Sequence, residues 1–179
     1  MKLIPRLLII TATATLVMAA SPDHSPEPAI YGADPTLTLE IGVAIDRFSQ
    51  QGLTLPELSI YFHDDLESCD GHGGLFTGET LQIDLCTDTT HFIYHELAHA
   101  WAHHSLTEDT RQAFVEHVEA PSWANGNDPH DQRGTELAAD AIAHGLRTEA
   151  LSDAEALRTA WVLERYLFLT GRPSPRLET

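Results

Sequence analysis

Past its second residue the sequence contains no lysine; its other cations are arginines. Ten basic residues stand against 27 acidic ones, for a formal net charge of −17. A surface this poor in ammonium groups repels phosphate backbones and anionic headgroups, so nucleic acid and anionic membranes are excluded as partners. Long apolar runs are also scarce. After the first twenty residues none approaches the ~20 that a transmembrane helix requires, so no stable membrane anchoring is expected. Cysteine is limited to Cys69 and Cys86.

The exception is the start, "MKLIPRLLIITATATLVMAA". Lys2 and Arg6 make a positive leader, Leu7 to Val17 an apolar centre, and Ala19 and Ala20 a small-residue cleavage site. Residues 1–20 therefore read as a secretory signal. No cysteine lies near the cleavage site to take a lipid. The expected product is a secreted, extracellular monomer. Export makes a Cys69–Cys86 disulfide the default reading. Its closure would contribute on the order of 3 kcal/mol in the chain-entropy model. The competing reading pairs Cys69 with His72 as half of a zinc site.

Residues 21–33 carry three prolines and few apolar side chains, which reads as a flexible lead-in. Asp34-Pro35 has the form of an N-cap and first helical residue. Leu37, Ile41, Ala44, Ile45 and Phe48 follow at helical spacing up to Gly52. "LSIYF" (58–62) and the alternating "TLQIDLC" (80–86) read as strands, with a glycine-rich loop over 63–80 between them. Helices are expected over 91–104, over 108–119, in "TELAADAIAHGL" closed by Gly145, and from a Ser152/Glu155 capping pattern to Thr170. Trp101, Trp123, Trp161 and Phe168 are expected to fill the core between them. The order is α+β, a single domain over 34–172 with a tail at 173–179.

"HFIYHELAHAWAHH" (91–104) holds five histidines in fourteen positions. Within it, His95 and His99 are four residues apart. On a helix that spacing points two imidazoles at one ion. Glu96, about 100° round the same helix, can reach a water on that ion. Zn²⁺ held by two imidazoles and a carboxylate keeps one position open and lowers the pKa of its water towards about 7. Glu96 then takes the proton and delivers it to a leaving amine. At this histidine content the pattern H-E-x-x-H arises by chance in roughly 5% of shuffled sequences, so context must support it. "ELAAD" (136–140) gives that support. Glu136 is placed to be the third ligand and Asp140 to accept the other ring N–H of a ligating histidine. Leu137, Ala138, Ala139, Ala141, Ile142 and Ala143 make that helix apolar nearly all round, and buried acids need partners. Asp140 as third ligand is the alternative. His91 and His103, one turn either side of the pair, read as supporting residues. His72 and His130 are candidates to line a cleft.

His95-Glu96-Leu97-Ala98-His99 with Glu136-Leu137-Ala138-Ala139-Asp140 resembles the gluzincin zinc metallopeptidases. It is similar to a minimal version of them, such as small secreted actinobacterial proteins. The resemblance implies one Zn²⁺ per molecule on His95, His99 and Glu136, with Glu96 as general base and Asp140 behind a ligand histidine. It implies a zincin-like domain: a short, mostly antiparallel sheet packed on the His95–His99 helix and on a second helix bearing Glu136. It further implies a peptide or protein substrate, bound along strand 80–86. The candidates for stabilising an oxyanion are His130, His144 and Tyr166. A second reading from another class is a metal- or protein-binding module that keeps the zinc for stability without turnover. A third is a histidine-rich metal scavenger with several weak sites.

Overall fold

The structure, a computed structural model, describes residues 28–147 and 153–178. The 1–20 segment lies outside the described residues, as does Ser152 of the Ser152/Glu155 pattern. The architecture is α+β, as expected. In sequence order the elements are β1 (Ala29–Tyr31), α1 (Pro35–Gln50), β2 (Ser59–Phe62), β3 (Gly74–Thr77), β4 (Gln82–Leu85), α2 (Thr90–Ser105), α3 (Glu108–Val118), α4 (Gly134–Leu146) and α5 (Asp153–Thr170). Short 3₁₀ turns cover Glu67–Cys69, His130–Gln132 and Pro175–Glu178.

Local chemistry accounts for α1. The Asp34 carboxylate accepts from the amides of Thr36 (2.8 Å) and Leu37 (2.9 Å), and Pro35 has no N–H to strand there. Leu37, Ile41, Ala44 and Phe48 are its buried stripe. α2 begins after Thr89, whose side chain makes no capping bond, so its start is held by packing. Ile93, Leu97 and Ala98 turn into the core. α4 carries Ala138, Ala139, Ala141 and Ala143 at essentially no exposure. With such small side chains between them, α2 and α4 pack more extensively on each other than any other pair of elements.

The sheet order is β1-β2-β4-β3. β1 pairs parallel with β2, β2 parallel with β4, and only β3 runs antiparallel to β4. The expectation of a mostly antiparallel sheet is thus corrected. β2 and β4 flank a crossover and point the same way, and β1, inside the supposed lead-in, extends the parallel set. β3 lies inside the supposed 63–80 loop. Its four residues, Gly74–Thr77, show no inside–outside alternation that would mark a strand. As a result β4 is internal, and the strand at the edge beside α2 is β3.

Cys69 and Cys86 are joined in a disulfide, so no thiolate is left for a site with His72. Trp101 is buried, but Trp161 and Phe168 are surface residues, stacked by Arg165 and His117 respectively. Gly145 does not end α4, which runs one residue further. It lies against the ring of Tyr166 on α5, where an added methyl would collide. The tail is tied down too: the Ser174 hydroxyl donates to Gly145 O (2.5 Å), and the Arg176 Nε–H donates to Arg147 O. Gly145→Ala is expected to lower stability by about 1–3 kcal/mol through overpacking against Tyr166. Urea unfolding measures it, and an unchanged midpoint would contradict the packing.

Candidate metal centre

α2 supplies His95, Glu96 and His99; α4 supplies Glu136 and Asp140. Three ligand atoms converge between the helices. His95 Nε2 is 3.0 Å from His99 Nε2 and 3.2 Å from Glu136 Oε2, and His99 Nε2 is 3.3 Å from the same oxygen. The ligands of a tetrahedral ion, at bonds of about 2.0–2.2 Å, stand about 3.3–3.6 Å apart, so the triangle matches to within a few tenths of an ångström. Each of the three side chains is only 11–12% exposed.

The tautomers follow from the outer partners. His95 Nδ1 lies 3.0 Å from Asp140 Oδ1, so its N–H donates to that carboxylate. His99 Nδ1 lies 3.3 Å from the Thr135 hydroxyl, which can accept its N–H. Both Nε2 lone pairs then face the Glu136 oxygen. Three lone pairs at this separation repel unless a cation lies among them. Without metal that cation is a proton. Burial alone would lower the pKa of His95, but hydrogen bonds to Asp140 and Glu136 outweigh it and raise it to about 10. Glu136 feels burial in the opposite sense, yet the two imidazoles hold it well below the usual carboxylate range.

Asp140 therefore sits behind His95, on the ring nitrogen that faces away from the convergence point. Glu136, not Asp140, completes the triad. A second group, His91, His95 and Asp140, also lies within ligand distance. It shares His95 with the first group, so the two are not independent sites. Thr135 escapes sequence reasoning. Its only signal is a hydroxyl next to Glu136 in the first turn of a buried helix.

Glu96 faces the same space. It is 4% exposed, and among the described residues no group hydrogen-bonds its carboxylate. Burial, the largest influence, raises its pKa; the His99 and His95 imidazoles oppose it. Gly74 on β3 backs it so closely that a Cβ there would lie 2.8 Å from Oε1. A cleft of about 320 Å³ opens onto the triad, walled by Leu75 and Phe76 of β3, by Phe92, and by Trp123. His72 and His130 stack in it with ring centroids 5.3 Å apart, and His130 Nε2 is 3.5 Å from Glu136 Oε1. His103 lines its far end against Phe76. His91 lies instead beside His144, away from the cleft lining, and its pKa is lowered to about 4 by burial and by His95. Tyr166 is fully buried and outside the cleft. Of the three oxyanion candidates, only His130 reaches the site.

Comparison with protein-family models, with curated proteins and with solved structures finds no match to the sequence or the fold.

Glu136→Ala should weaken zinc binding by at least tenfold, because two imidazoles and water remain where three protein ligands stood. Metal analysis of protein purified without added metal should give one zinc per molecule for the parent and less for the variant. Equal metal in both would remove Glu136 from the ligand set. Binding should also release about one proton, since His95 must lose one to become a ligand. Below the His95 pKa of about 10, apparent zinc affinity should therefore rise about tenfold per pH unit. Chelator competition at several pH values measures the slope, and an affinity flat between about pH 6 and 8 would contradict it.

Proposed function

We propose that the protein is a secreted, zinc-dependent peptidase that hydrolyses peptide bonds, with the zinc on His95, His99 and Glu136 and with Glu96 as general base. The observation that carries this reading is the state of Glu96. A structural zinc site takes four protein ligands and is closed. Here three donors converge beside a cleft, next to a buried carboxylate with no hydrogen-bond donor among the described residues. Keeping such a carboxylate unpaired costs stability, and a purely structural site would not require it.

A zinc ion held by the triad supplies Lewis acidity and lowers the pKa of water towards about 7. The protein's own residues do the rest. Glu96 takes a proton from the attacking water and passes it to the departing amine. Its raised pKa makes it the stronger base for the first transfer. His130, which lines the cleft with Nε2 3.5 Å from Glu136 Oε1, is the candidate donor to the developing oxyanion. Asp140 and Thr135 hold the ligand imidazoles in the tautomers the site requires.

A peptide fits better than a small ester because β3 is an edge strand that lines the cleft, free to accept an extended segment as a further strand. That role moves from 80–86 to 74–77. Secretion rests on residues 1–20, and the Cys69–Cys86 disulfide is compatible with an extracellular setting. No helix among the described residues is long and apolar enough to cross a membrane.

Glu96→Gln should keep the zinc and lower peptide hydrolysis by about 10²–10⁴-fold. The assay is mass-spectrometric cleavage of a broad peptide library by the metallated protein. A variant as active as the parent would sink the mechanism. No cleavage by the zinc-loaded parent would leave a metal-binding module without turnover.

A further inference from the structure

One wall of the cleft carries a charge of the opposite sign to most of the molecule. Arg111 of α3 is, among the described residues, the one guanidinium or ammonium group lining it, in a protein of net charge −17. The group is held in place. Its NH2 donates to His103 O (2.9 Å) and to Ala102 O (3.3 Å) at the end of α2, and its Cζ lies 5.6 Å over the Trp123 ring. Its acidic partner there is a weak one. The nearest acid, Glu108, is 3.9 Å from NH1, beyond hydrogen-bond distance, and is 83% exposed. The Nε–H is buried and makes no hydrogen bond among the described residues, so NH1 is the donor left for a ligand. A guanidinium fixed by its NH2 contacts, with NH1 left on the wall of a cleft, is suited to a carboxylate.

Its place relative to the triad limits which carboxylate. Arg111 binds the carbonyls one helical turn beyond His99, roughly 6 Å along α2. Two residues of extended peptide span about 7 Å. A chain end one or two residues past the scissile bond is therefore within reach of Arg111. Glu96 and Glu136, on the same cleft, repel that carboxylate from the rest of the wall.

We propose that Arg111 anchors the C-terminal carboxylate of the substrate and that the enzyme is an exopeptidase removing one or two residues from peptide C-termini. This rests on the peptidase reading above. The reaction is hydrolysis. The water oxygen bonds to the carbonyl carbon, the C–N bond breaks, and a proton travels through Glu96 to the leaving nitrogen. The products are a shortened peptide carboxylate and a free amino acid or dipeptide.

The test uses the zinc-loaded full-length protein and three peptides of one sequence: a free acid, its C-terminal amide, and an amide with Asp as the last residue. The expected result is release of one or two residues from the free acid, with kcat/KM at least about tenfold above the amide, the usual scale of a charge-assisted hydrogen bond. Arg111→Gln should bring the acid-to-amide ratio towards one; a residue that merely caps α2 would change both rates and leave the ratio. Equal cleavage of acid and amide, or internal cleavage only, overturns the proposal and leaves the peptidase reading intact. Equal cleavage of the free acid and the Asp-bearing amide assigns Arg111 to acidic side chains and overturns the C-terminal assignment. If no peptide is cut, the peptidase reading fails. Calorimetric binding of the acid and amide pair then decides for Arg111: a preference for the acid of about tenfold supports the anchor, and equal binding or none removes it.

Discussion

The site depends on one approach: α2 against α4. Each helix alone presents nothing unusual, a row of histidines on one and two acids on the other. Alanines at the contact let the axes come close. Three lone pairs are then forced to within 3.0–3.3 Å of each other. That arrangement is electrostatically unfavourable without a positive charge in its middle. The fold resolves it partly through Asp140 and Thr135, which fix where the ring protons lie, and leaves the remaining demand for a cation.

Around that pair the remaining elements act as positioning. β3 is short and begins with Gly74, which leaves room for the Glu96 side chain on the sheet side. The carboxylate is thereby enclosed without being given a donor, and it stays basic. The same strand then continues along the cleft as its edge. One four-residue segment thus encloses the Glu96 carboxylate and leaves a backbone edge open to the cleft, two tasks that a strand buried between neighbours, such as β4, could not combine.

Much of this is legible in the sequence, and the exceptions have physical causes. The ends of α1 and the ligand spacing on α2 are local: an N-cap, a proline, a four-residue period. The pairing of Glu136 with His95 and His99 is legible because apolar residues surround the acid, which makes its burial, and hence a partner, a requirement. β3 is not legible, since glycines that exist to let Phe92 and Glu96 approach look like loop residues when the neighbours are unknown. Strand direction is missed for a related reason. Parallel pairing of β1, β2 and β4 depends on crossovers through α1 and through the segment containing β3, and alternation within a strand carries no sign of direction. Thr135 and Arg111 act through contacts 36 and 8–9 residues away, which no local pattern announces.

The disulfide joins these layers. Cys69 closes a tight turn, and Cys86 begins the segment that leads from β4 into α2. Between them the Cys86 amide donates to Gly73 O (3.0 Å), so the bridge is reinforced by backbone at the start of β3. His72 and Gly74 lie in this short stretch, one lining the cleft and one backing Glu96. The covalent link therefore does more than restrict the unfolded state. It holds the glycine-rich approach to β3 against the entrance of α2, where conformational entropy would otherwise favour a loose loop. A flexible sequence can then serve as a fixed wall: its glycines give the close approach that Glu96 needs, and the bridge removes the freedom that usually comes with them.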